Sequence, residues 1–70
     1  MTEEKCGNAL RSMMTCDPAF YTATLKMVAH RGIEFVAKNI ADSAPNGYRQ
    51  WMQANPKKTE QMIGGILGMM

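Results

Sequence analysis

One tryptophan, one histidine and two cysteines are all that this sequence offers of those residues, and no apolar run approaches the ~20 residues that a membrane span requires. Each shortage excludes something. Cys6 and Cys16 stand ten positions apart. On one helix that separation is a rise of about 15 Å, too far for a disulfide. Two reduced thiols are expected, the usual state in the cytosol. A lone histidine and two distant cysteines supply no ligand pair at zinc-finger spacing, so no metal site is expected. There is no Ser/His/Asp set and no carboxylate pair with a plausible cleft. The stretch "IGGILG" follows no strand and lacks a lysine, which excludes a phosphate loop. The expectation is a protein that is not an enzyme and carries no cofactor. The opening "MTEEK" is acidic and polar, unlike a secretory leader, and points to a cytoplasmic protein.

What is present fits one small domain. A chain of 70 residues buries only about 60–65% of its unfolded surface, enough for a single core. The net charge of +2 is mild but unevenly spread. Residues 1–17 hold two cations against three carboxylates, and residues 18–70 hold six against three. That modest basic bias permits phosphate contact without demanding it. Methionine is over-represented, with eight in the chain. Its flexible thioether suits both loosely specified cores and adaptable binding surfaces.

The pattern reads as helices throughout, with no alternating run long enough for a strand. Thr2 is placed to cap a first helix, and Glu3 and Glu4 suit its positive end. Cys6, Leu10, Met13 and Met14 then form an apolar stripe. Asp17 and Pro18 open a second helix that turns Phe20, Tyr21, Leu25, Met27 and Val28 inward, places His30 on the surface near its end, and stops at Gly32. Ile33, Val36, Ala37 and Ile40 mark a third. Small and polar residues from Ala41 to Pro45 follow. Ser43 is placed to cap a fourth helix that buries Tyr48, Trp51 and Met52. Asn55 and Pro56 repeat the cap-and-proline signal for a fifth, which buries Ile63, Ile66, Leu67 and Met70. The fold class is all-α, with about five short helices.

The third and fourth segments have helix-turn-helix spacing. Ala37 is a small residue where the second helix would cross, Ala41 opens the expected turn four residues later, and Ser43 supplies a cap. The stretch "DPAFYTATLKMVAHRG" continues without a gap into "AKNIADSAPNGYR", and the chain closes on the proline-led "NPKKTEQMIGGILGMM". In these stretches the sequence resembles the helix-turn-helix antidote (antitoxin) proteins of bacterial toxin–antitoxin modules, relatives of the Cro and phage-repressor fold. Ala37, Lys38, Ser43, Tyr48 and Arg49 fall on family positions. Residues 17–70 carry the likeness; residues 1–16 form an N-terminal helix outside it. Asp42 stands where that family has an apolar plug, and Gly47 where a leucine usually precedes the tyrosine.

The resemblance implies a DNA-binding regulator that acts as a homodimer, controls its own operon and pairs with a toxin. Base-reading residues would face outward from the helix after the turn: Ala44, Asn46, Arg49, Gln50 and Gln53. Arg49 suits a guanine edge, and Gln50 or Gln53 an adenine. Lys38 and Ser43 would meet phosphates. Lys57 and Lys58 sit in the first turn of the last helix, where the helix dipole disfavours cations and an anionic partner would relieve them. The apolar tail, with Met62, Ile66, Met69 and Met70, is expected to pack on a second copy or another protein. The rival reading is a protein-binding module of the same fold, a phage- or plasmid-type inhibitor or adaptor that has lost base readout. Asp42, Gly47 and the weak net charge motivate it.

Overall fold

The structure is a computed structural model, and it describes residues 1–69. Five helices follow one another: α1 (Glu3–Cys16), α2 (Pro18–Arg31), α3 (Ile33–Ser43), α4 (Asn46–Ala54) and α5 (Pro56–Ile66). No strand occurs among the described residues. α3 packs against α2, α4 and α5, and α1 closes the bundle over α2, α4 and α5.

Local chemistry sets most of the boundaries. Thr2 Oγ1 accepts the Lys5 N–H at 3.1 Å and opens α1. Asp17 Oδ1 accepts the Phe20 N–H at 3.2 Å, with Pro18 in the first turn of α2. Gly32 ends α2 by donating its N–H to the Val28 carbonyl at 2.9 Å. Its φ of 88° lies where a side chain would be strained, so glycine is required there. α5 closes in a Schellman arrangement. Gly68, with φ 73°, donates to the Gly65 carbonyl at 3.2 Å, and Met69 donates to Gly64 at 2.8 Å.

The core forms where the apolar stripes meet. α1 contributes Cys6, Leu10 and Met14; α3 contributes Val36, Ala37 and Ala41; Val28, Met52, Ile63 and Leu67 complete it. Two polar residues are buried with them. Thr24 Oγ1 donates to the Phe20 carbonyl at 2.7 Å, and Thr59 Oγ1 donates to the Asn55 carbonyl at 2.9 Å. Each hydroxyl finds its partner within its own element or the adjoining corner, so burial leaves no donor stranded.

Several expectations are corrected. Met13 and Met27 are not covered: they are 47% and 41% exposed, on the flank of their stripes. α3 does not stop at Ala41 but runs on through Ser43, with Ala41 buried inside it. Pro45 imposes the break. The residue before a proline is pushed out of the helical region, and Ala44 accordingly has ψ 156°. Ser43 therefore lies in the last turn of α3 and cannot cap α4, whose N-cap position is Pro45 with no side-chain bond. Nor does Asn55 cap α5. Its Nδ2 points back to the Trp51 carbonyl at 2.8 Å, closing the end of α4 instead.

Candidate nucleic-acid interface

α4 divides cleanly into two faces. Met52 is buried, Tyr48 and Trp51 are half-buried, and the opposite side presents Asn46, Gln50 and Gln53 to solvent. Arg49 lies at the edge of that outer face, half-buried, its Nη2 donating to Asn46 Oδ1. Gln53 Nε2 donates to Asp42 Oδ1 across the α3–α4 junction at 3.0 Å. Asp42 is thus not a failed core plug. It is an exposed acceptor that ties the end of α3 to the outer face of α4.

Gly47, the second departure from the family pattern, is exposed near the start of α4. A Cβ there would meet the Met1 Cε at 3.4 Å, an ordinary contact, so space does not demand glycine. The same contact places the start of the chain beside the first turn of α4.

The expected phosphate contacts separate into two groups. Lys38 and Lys57 line a cleft of about 760 Å³ between α3 and α5, with Gln53 on its α4 side. Three cations line it, Arg31, Lys38 and Lys57, and so do three carboxylates, Glu34, Asp42 and Glu60. Lys57 Nζ lies 3.7 Å from Glu60 Oε2 one turn away. Lys58 turns elsewhere, 3.6 Å from Glu3 Oε1 on α1. Both pairs are solvent-exposed on the lysine side, so they screen easily and hold the side chains only weakly. At the mouth of the cleft the Arg31 guanidinium sits 4.9 Å from the centroid of the Phe35 ring, which is 41% exposed.

Ser43 and Ala44 do not join the α4 face. They line an apolar groove of about 340 Å³ on the other side of the α3–α4 link, walled by α1, α2, α3 and α4. Ala44, expected to face outward, is half-buried there because it belongs to the link and not to α4.

The apolar tail is largely absorbed by the chain itself. Ile63 is fully buried, Met62 and Ile66 are half-buried, and Met69 remains 52% exposed. Met70 lies outside the described residues. α3 packs most extensively on α5, and α1 and α4 add to the cover. On the α1 side, the Met62 Sδ stands 3.3 Å from where a Cβ on Gly7 would be. Further uncovered apolar surface lies at the groove, where Met13 and Met27 stand on the rim. Their flexible side chains on the flank of otherwise buried stripes were the available signal in the sequence.

The two thiols differ sharply in setting. Cys6 is buried and Cys16 is exposed, and both are free. Desolvation by burial raises the pKa of Cys6 above its usual value, which keeps it a protonated thiol. Among the described residues no three His, Cys, Asp or Glu side chains gather into a metal site. Nor, among the described residues, is any helix long and apolar enough to cross a membrane. Comparison with known proteins found no matching family model, no similar curated protein and no similar solved structure.

Proposed function

We propose that the chain is a small regulator that binds double-stranded DNA as a homodimer, with the outer face of α4 in the major groove. One observation carries this reading. Asn46, Gln50 and Gln53 share the side of α4 opposite its buried Met52, with Arg49 half-buried at the edge of that face, and all four side chains are suited to base edges. Arg49 would take a guanine edge and Gln50 or Gln53 an adenine. Each bidentate contact contributes about 1–3 kcal/mol of discrimination. Lys38 and Lys57, on the flanking helices, would meet phosphates. Two copies are invoked because one unit makes few phosphate contacts, and paired recognition helices reach successive grooves ~34 Å apart. The resemblance of residues 17–70 to antidote proteins adds autoregulation and a toxin partner to the proposal.

The test is to select duplexes from a randomised pool and titrate the bound ones at low and high salt. Affinity should fall steeply as salt rises. Arg49→Ala should remove sequence preference, whereas Lys57→Ala should weaken all duplexes alike. Duplex affinity independent of salt, with Arg49→Ala silent, refutes the reading.

A second reading, a protein-binding adaptor or inhibitor of the same architecture, is favoured by the charge balance of the α3–α5 cleft. Three carboxylates interleaved with three cations offer little net attraction to a phosphate backbone. They suit a partner surface of mixed charge. The exposed Arg31–Phe35 pair beside the cleft joins two residue types enriched at protein interfaces.

A further inference from the structure

The groove opposite the outer face of α4 has the attributes of a small-molecule site. It reaches to the core: Leu10, Thr24, Val36 and Met52, each less than 8% exposed, form its floor. Its volume of about 340 Å³ falls in the range of ligand pockets. That is too little space for a docked helix with its several anchors, but enough for one compact molecule. No charged side chain lines it. The hydroxyl at the floor, on Thr24, already donates to the Phe20 carbonyl at 2.7 Å, so the depth of the groove offers no free donor. Polar atoms with no hydrogen bond among the described residues occur higher up, on Asn39, Ser43 and Tyr48. Met13 and Met27 stand at the mouth, adaptable and half in water.

From this distribution we infer that the groove binds a small neutral amphiphile, with its hydrocarbon or aromatic body on the Leu10–Val36–Met52 floor. Its uncharged polar head would bond to Asn39, Ser43 or Tyr48. A charged head would find no counter-ion among the lining side chains, and is excluded on that ground. The inference goes beyond DNA binding and does not depend on it, because Tyr48 and Met52 face the groove while Asn46, Gln50 and Gln53 face away.

1-Octanol and octanoate, alike in chain and differing in charge, are suitable probes. The readout is the spectrum of protein labelled with 13C at the methionine methyls. Saturable shifts are expected at Met13, Met27 and Met52, with Met1, Met62 and Met69 unmoved, and octanoate should bind at least about tenfold more weakly. Ala23→Phe fills the groove from its exposed rim and should weaken 1-octanol binding by about tenfold or more. Ala29→Phe, the same change on the exposed side of α2 outside the groove, should bind as the unaltered chain does. The methyl signals of Met62 and Met69 report in each variant that the bundle is intact. Non-saturable shifts over all the methionines, equal binding of octanoate, or an unaffected Ala23→Phe overturns the inference. So does sedimentation showing a dimer that Ala23→Phe disrupts and Ala29→Phe spares, since a second copy would then fill the groove.

Discussion

Replacing Gly7 by alanine sets two opposing effects against each other, and their sizes can be worked out. Gly7 lies within α1. An alanine inside a helix is more stable than glycine by about 0.8–1 kcal/mol, because the glycine backbone surrenders more freedom on folding. Against this, the new Cβ would stand 3.3 Å from the Met62 Sδ, tighter than ordinary contact. That atom belongs to a flexible, half-buried side chain, so a shift of a few tenths of an ångström relieves the clash without moving the backbone of α5. The helix gain should prevail. A net stabilisation of about 0.5 kcal/mol is expected, which at this chain length raises Tm by about 2–4 °C. Gly65→Ala supplies the reference, since a Cβ there meets nothing within 4 Å. The difference between the two substitutions in urea or thermal melts reads the cost of displacing Met62. If Gly7→Ala lowers Tm while Gly65→Ala raises it, the contact between α1 and α5 is rigid, and the argument from a yielding thioether is wrong.

Two further outcomes follow from the local chemistry. Asp17→Ala should cost about 0.5–2 kcal/mol in chemical denaturation, because it removes the cap of α2, whereas Ser43→Ala should leave the midpoint unchanged; equal losses would place a working cap at Ser43. In a thiol titration with an aromatic disulfide reagent, Cys16 should react at once and Cys6 only as the chain unfolds; two fast thiols would show Cys6 to be accessible.

How much of this could be read from the sequence depended on how local the controlling physics was. Thr2, the Asp17–Pro18 pair and Gly32 act within a few residues, so the starts of α1 and α2 and the stop of α2 were legible. The end of α3 was not. Ser43 has the chemistry of a cap, but Pro45 two positions later decides where the helix breaks, and the cap is never used. Asn55 misled in the same way, since its amide is spent on the helix before it. Tertiary choices were harder still. Periodicity put Met13 and Met27 on the inward side, but whether a neighbour arrives to cover a stripe's flank depends on how the helices pack together. The tail posed the same difficulty. How far Met62 and Ile66 are covered within one chain depends on α1, more than fifty residues earlier, and on α3, and neither leaves a trace near Met62. The outer face of α4 was legible, being one helix with a narrow apolar side. The engagement of Gln53 by Asp42 required knowing how α3 and α4 meet.

The two corners flanking α4 are built differently. At its far end Asn55 bonds to Trp51, while Thr59 bonds to both the Asn55 carbonyl and, at 3.5 Å, that of Met52. At its near end the Ala44 N–H donates to the Ala41 carbonyl at 3.3 Å, the Pro45 carbonyl accepts the Arg49 N–H at 2.7 Å, and the Gln53–Asp42 bond ties α4 back to the end of α3. The two corners orient α4, but α3 holds it: α4 and α5 each pack more extensively on α3 than on one another, so prying them off means stripping both from a shared spine.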